Sequence, residues 1–270
     1  MKINELKDLL KEFSKNVRFE ENLKKKNWFN IGGKSKVFYK ANNLKELVNF
    51  LKKLNNKEKV FIIGAGSNTL ITDNLFDGVV IKLSKNFNNI SLLGEDIIIA
   101  GSAVPDKSLS DFAMNNSLSG FEFLSCIPGS VGGGIKMNAG CFGKEFRDIL
   151  LSVQAIDKLG NVITIPSKDI KFEYRKNDLP DDLIFLSASF KGIKDNATKI
   201  TGEMIKLKTE KEKNQPTKIK TSGSTFKNPI SQTKKKVWEL IKDSVPLDKS
   251  FGDAGTVSYT HLTLPTKRIV

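Results

Sequence analysis

An α+β fold class is predicted by three features of the chain. Short apolar runs of strand character dominate its middle, helix-spaced segments flank them, and glycine-rich loops follow several of the runs. Taken in order, residues 1–25 read as a helix with Ile3, Leu6, Leu9, Leu10 and Phe13 on one side, followed by a basic connector. NWFNIGGKSKVFYKA then alternates like a strand, with a turn at Gly32-Gly33. LKELVNFLKKL carries Leu44, Leu47, Val48 and Leu51 at helical spacing, and VFIIG is a buried strand ending at the loop GAGSN. GVVIKL is a strand expected to follow a turn at Asp77-Gly78. DIIIAGSAV extends the strand pattern, and SLSDFAMNNS is a short helix. Strands are expected again at LLSVQAI, NVITI and LIFLSASF. ATKITGEMIKLKTEKEKNQ is a charged helix linking two lobes, and WELIKD is a further short helix. No repeat is visible.

Composition narrows the function. A chain of 270 residues suffices for two or three packed lobes. Hydrophobic content of 39% and charged content of 27% fit a soluble globular protein. No apolar run approaches the roughly 20 residues that span a bilayer. The charged N-terminus lacks the apolar core of a signal peptide, so a cytoplasmic, membrane-free protein is expected. The net charge of +14 invites a nucleic-acid reading. Yet arginine occurs only at Arg18, Arg147, Arg175 and Arg268, and the excess is lysine spread along the chain. Abundant Lys and Asn mark an AT-rich coding bias, and no nucleic-acid partner is expected. Cys126 and Cys141 form no metal or disulfide pattern. His261 is the one histidine, so proton transfer falls to Ser, Lys, Tyr, Asp or Glu, and no cluster suggests a metal.

The most informative stretch is Phe121 to Gly143, FEFLSCIPGSVGGGIKMNAGCFG. Glycines let backbone N–H groups approach a ligand and cradle an anion such as a pyrophosphate. A flexible linker is the competing reading, but the segment is threaded with Phe121, Phe123, Leu124, Ile127, Val131, Ile135 and Met137. FIIGAGSNTLI begins like a dinucleotide fingerprint, but Thr69 stands where a Rossmann loop needs its third glycine. Two glycine loops about 60 residues apart fit a long diphosphate ligand clamped between two lobes. Two further constellations are ambiguous as bare residues. SGSTFKNP, Ser222 to Pro229, offers a hydroxyl, a cation and an amide at Ser224, Lys227 and Asn228, or is a simple turn. EYRKND places Tyr174 and Arg175 before a polar loop, where an exposed arginine is the default.

Taken together these motifs resemble the UDP-N-acetylenolpyruvoylglucosamine reductase family. The matches run in order through NxxxIGG (Asn27 to Gly33), GxGSN (Gly64 to Asn68), GFEFL, IPGSVGG, MNAG, YR, QPT and SGSTFKNP, over about residues 25–255. The middle also resembles the wider superfamily of flavin domains typified by vanillyl-alcohol oxidase (PCMH-type). The resemblance implies a two-subdomain FAD-binding fold followed by a partial α+β substrate-binding domain. It divides the chain into residues 1–25 (N-terminal helix and connector), 26–80 and 81–195 (the FAD-binding subdomains), 196–255 (an incomplete substrate-binding domain) and 256–270 (a tail).

It implies non-covalent FAD bound by Ile63, Gly64, Ala65, Gly66, Ser67, Asn68 and Thr69, by Ile127, Pro128, Gly129, Ser130, Val131, Gly132 and Gly133, and by Asn138, Ala139 and Gly140. NADPH is the implied co-substrate, a UDP-sugar the substrate, and a monomer the working form. Hydride reaches C3 of the enolpyruvyl group, Arg175 stabilises the resulting enolate, and Ser224 protonates C2. Tyr174, Lys227 and Asn228 would hold the substrate.

The chain departs from the family pattern in three places. Asn177 stands where a serine is usual, and Cys126 replaces a small residue before IPG. Beyond Gly255, TVSYTHLTLPTKRIV reads as foreign to the Lys- and Asn-rich chain, and no residue matches the family's third catalytic group, a glutamate. Residues 1 to about 200 are therefore expected to fold and bind FAD, with turnover by this chain impaired. Alternative readings are a related oxidase of the same superfamily, or a flavin binder without turnover.

Overall fold

The computed structural model describes residues 1–214, 221–224, 227–229, 232–235, 237–244, 250–251, 254–256 and 261–263. The first lobe comprises α1 (Ile3–Leu9), β1 (Val17–Asn22), β2 (Lys34–Ala41), α2 (Leu44–Leu54), β3 (Val60–Ile62) and β4 (Phe76–Leu83). Its sheet has the order β1-β2-β4-β3, with β1 antiparallel to β2 and both β2 and β3 parallel to β4. α2 buries Leu47, Phe50, Leu51 and Leu54 against this sheet's Val37, Tyr39, Val79 and Ile81, and α1 adds Leu6. Phe50 stacks on Tyr39 with ring centroids 3.7 Å apart.

Two expectations are corrected here. The segment expected to be a basic connector contains β1, whose pairing with β2 is supported by one side carrying Val17 and Phe19. Asp77-Gly78 is no turn, because β4 runs through it. Glycine is needed at 78 because the backbone passes close to Lys59, whose carbonyl oxygen would lie 2.6 Å from an added Cβ.

The second lobe is a five-stranded antiparallel sheet, β11-β10-β14-β6-β5, formed by β5 (Ile90–Leu93), β6 (Ile97–Gly101), β10 (Leu150–Ile156), β11 (Val162–Pro166) and β14 (Ile184–Lys191). Between β6 and β10 lie α3 (Asp106–Asn115), β7 (Leu118–Ser119), α4 (Val131–Lys136) and the ribbon β8 (Gly140–Cys141) and β9 (Lys144–Glu145). Between β11 and β14 lies a ribbon of β12 (Phe172–Glu173) and β13 (Lys176–Asn177). β15 (Ile193–Lys194) pairs with β7 and leads into α5 (Ala197–Asn214). Phe121, Phe123, Leu124, Val131, Ile135, Phe146 and Phe190 form this lobe's core. Ile156, Ile184 and Leu186 from its sheet pack into the first lobe's core, so the lobes share apolar surface.

Beyond α5 the described elements are β16 (Thr221–Ser224), α6 (Val237–Ser244), β17 (Ser250–Phe251), β18 (Ala254–Thr256) and β19 (His261–Thr263), the strands forming a sheet in the order β16-β19-β18-β17. Within 256–270, Thr256 belongs to β18, and His261–Thr263 pair with β16. The rest of that segment lies outside the described residues.

Candidate cofactor and substrate cleft

The first glycine loop leaves β3 at its C-terminal end, where ligands of parallel strands collect. Ile63 is buried and its N–H bonds the Ile81 carbonyl at 2.9 Å, extending the strand by one residue. Gly66 turns the chain with φ +72° and is pinned to the neighbouring segment, since its carbonyl accepts from Trp28 N–H at 3.0 Å. An added Cβ at Gly66 would lie 2.3 Å from the Lys26 carbonyl oxygen. Trp28 stands half-exposed at the lip.

The second loop leads into α4, VGGGIK, which carries three glycines in six residues. Each glycine costs a helix up to about 1 kcal/mol relative to alanine, so close packing must require them. Two face tight neighbours. An added Cβ would meet Ser102 Cβ at 2.9 Å from Gly132, and Phe146 Cε2 at 2.2 Å from Gly134. Gly133 is exposed on the cleft side, with only Ser130 Oγ near its Cβ position, at 3.6 Å. Gly64 of the first loop faces the same Ser130 Oγ, 2.7 Å from its Cβ position. The two loops therefore meet at Ser130 with side chains absent on both sides, a cradle that fits an extended diphosphate.

Two amides expected to serve the ligand are used internally. Val131 N–H bonds the Val104 carbonyl at 2.9 Å and Gly132 N–H the Ser102 carbonyl at 3.0 Å. Val131 is also fully buried in the second core and is absent from the cleft wall. Asn138 lines the cleft, but its side chain is occupied. Its Nδ2 donates to Glu145 Oε2 at 2.8 Å and the Glu173 carbonyl at 3.4 Å, and its Oδ1 accepts from Arg147 N–H at 3.1 Å. The other residues expected to bind the cofactor, Ile63 to Thr69, Ile127 to Ser130, Gly132, Gly133, Ala139 and Gly140, line one cleft of about 1750 Å³.

Tyr174 and Arg175 form the turn of the β12–β13 ribbon and line the same cleft. The guanidinium carbon lies 5.6 Å from the Tyr174 ring centre. Lys227 and Asn228 are absent from the described wall of this cleft, and the side chain of Ser224 lies outside the described residues. Ser224 is described only as backbone, paired opposite His261, Lys227 is exposed, and Asn228 Oδ1 caps α6 by accepting from Val237 N–H at 3.0 Å.

The cleft suits an anion. Among the described residues, nine Lys and Arg line it, against five Asp and Glu. Lys82, at the C-terminal end of β4, is held below its ordinary value by burial first, then by Lys26 and Lys40; a phosphate there would relieve that repulsion. Spacing alone gave no sign of Lys82, Ser102 or Asp106. Asp106 opens α3 beneath Gly129, fully buried, and burial pushes its carboxyl up to about 8. Its oxygens and Ser102 Oγ have no hydrogen-bond partner among the described residues. Cys141, also on the wall, has its thiol pushed up by burial first, with Lys211 opposing, which fits a non-covalent ligand. Among the described residues there is no metal-ligating cluster, and no helix is long and apolar enough to cross a membrane.

Comparison with known proteins agrees with this geometry. The FAD binding domain family matches residues 35–166, which contain both glycine loops. The chain is 65% identical over 254 residues to the UDP-N-acetylenolpyruvoylglucosamine reductase of Pelagibacter ubique (strain HTCC1062), covering 94% of this chain and 84% of that protein. It belongs to the UDP-N-acetylenolpyruvoylglucosamine reductase family. The same-named protein of Rickettsia typhi (strain ATCC VR-144 / Wilmington) is 46% identical over 220 residues, covering 82% of this chain and 73% of that protein. The solved structure of the reductase from Thermus caldophilus superposes with a TM-score of 0.79 at 27% identity, over 92% of this chain and 88% of that one. Phl p 4.0202, a glucose dehydrogenase, shares the fold alone, with a TM-score of 0.54 at 9% identity over 72% of this chain and 44% of that one. The α+β, FAD-binding fold expected from the reductase motifs is therefore observed.

Proposed function

We propose that the chain reduces the enolpyruvyl group of UDP-N-acetylenolpyruvoylglucosamine to the lactyl ether with NADPH, using FAD held non-covalently in the cleft. The observation carrying this reading is the meeting of the two glycine loops at Ser130, in a chain 65% identical to a reductase of that name. Bound there, FAD supplies the hydride relay from NADPH to the enolpyruvyl double bond.

The chain's own residues bind, orient and move the proton. Gly64 and Gly133 admit the diphosphate, and Lys82 answers its charge. Arg175 meets the substrate carboxylate, where negative charge develops as hydride adds at C3; a fixed donor at such a position is worth about 3–4 kcal/mol. Tyr174, beside it on the cleft wall, helps seat the substrate. On the resemblance of SGSTFKNP alone, since Lys227 and Asn228 are not on the described cleft wall, Ser224 is assigned the proton delivered to C2 and Lys227 and Asn228 the sugar nucleotide.

The test separates the two half-reactions under anaerobic conditions. Arg175→Ala should leave flavin reduction by NADPH within twofold of wild type and slow reoxidation by the enolpyruvyl substrate about 10²–10³-fold. Equal reoxidation rates in the two chains would overturn the assignment of Arg175.

A further inference from the structure

The turn that carries Arg175 is weakly supported by its own ribbon. β12 and β13 pair through only Phe172↔Asn177 and Glu173↔Lys176, too little for an independently stable hairpin. Arg175 itself sits at φ +57°, a left-handed conformation that costs a non-glycine residue on the order of 1 kcal/mol. The support comes from α4.

A helix leaves its last carbonyls without internal partners. Asn177, 4% exposed, fills that need at α4: its Nδ2 donates to the Ile135 carbonyl at 3.0 Å and the Lys136 carbonyl at 3.1 Å. Its Oδ1 accepts from Leu179 N–H at 3.1 Å, fixing the chain that leaves the ribbon. Asn138 holds the entering strand through Glu173, and Lys136 Nζ donates to the Leu179 and Pro180 carbonyls at 3.1 and 3.2 Å. Both sides of the Tyr174–Arg175 turn are thus fastened to residues 135–138, the end of the helix that the cofactor loop enters.

We propose that Asn177 is a positioning residue for Arg175, fixing the substrate-facing turn to α4 and so to the cofactor loop. The inference rests on the role given to Arg175 above. The amide suits the position because it donates twice and accepts once. A serine there donates once, and an aspartate sets a carboxylate against two carbonyls at the negative end of a helix.

The test uses the holoenzyme. In Asn177→Asp, flavin content, FAD affinity and flavin reduction by NADPH should stay within twofold of wild type. Reoxidation by the enolpyruvyl substrate should slow at least tenfold, and the substrate's dissociation constant, read from its perturbation of the flavin spectrum, should rise. Asn177→Ser should recover most of the lost rate. Should Asn177→Asp fold poorly, Lys136→Met removes the ties to the Leu179 and Pro180 carbonyls and the ion pair with Asp181 while leaving Asn177 in place, and should slow the same step more mildly. Reoxidation within twofold of wild type in fully loaded Asn177→Asp would overturn the proposal, as would FAD loss with all steps slowed alike. Arg175→Ala separates the two claims. If it slows reoxidation while Asn177→Asp does not, the positioning role alone falls; if neither does, the role of Arg175 falls with it.

Discussion

Replacing Asp106 by asparagine should make the flavin-free chain more stable near neutral pH, with a gain that grows as pH rises. The carboxyl is fully buried, lacks a hydrogen-bond partner among the described residues, and is pushed from 3.8 up to about 8 by burial. Between those values the folded chain holds a proton that the unfolded chain has released. Unfolding free energy therefore falls by about 1.4 kcal/mol per pH unit across that window. Over the whole window the loss approaches a ceiling of about 6 kcal/mol, which relaxation and water entry will reduce. The amide keeps the shape and cannot ionise. Denaturant unfolding of both chains at pH 4.5, 6, 7 and 8 reads the effect as a difference, which cancels every other titrating group. Expected is a difference near zero at the acid end that widens steadily in favour of Asp106→Asn. Parallel pH profiles would refute a carboxyl held neutral by burial.

Four other outcomes follow from the same geometry. Gly134→Ala would bring a methyl within 2.2 Å of the buried Phe146 ring, so thermal unfolding should show a loss of about 1–3 kcal/mol. Gly133→Ala meets only Ser130 Oγ at 3.6 Å; its melting temperature should hold while FAD affinity, by fluorescence titration, falls at least tenfold. Lys82→Met should weaken FAD binding and flatten its dependence on salt, because one cation facing the ligand is gone. Acid denaturation should release all of the flavin from the chain, leaving no fluorescent band on a denaturing gel, since burial keeps the Cys141 thiol protonated.

Much of the fold was legible because its signals are local. α2 occupies the expected Leu44–Leu54, with Asn43 accepting from Glu46 N–H at its start and Asn55 in the left-handed region at its end. The two glycine loops were legible as ligand loops because glycine lets backbone N–H groups approach an anion and the second loop is threaded with apolar residues. What could not be read depends on tertiary contact. Gly78 looks like a turn until β4 is seen passing Lys59. Asn138 lines the cleft as expected, but the three internal hydrogen bonds of its side chain could not be read from MNAG. Asp106 is an ordinary first-turn carboxylate in sequence, and only the loop folded over it makes it neutral. Asn177 looked like a mild departure from a family pattern, whereas the structure gives it two helix-end carbonyls to bond.

The most direct measurement is anaerobic stopped-flow absorbance at the flavin band of the NADPH-reduced holoenzyme. Mixing with UDP-N-acetylenolpyruvoylglucosamine should restore the oxidised spectrum in a single saturable phase, while UDP-N-acetylglucosamine, which lacks the enolpyruvyl double bond, should leave the flavin reduced. Equal behaviour toward the two sugar nucleotides would contradict the account.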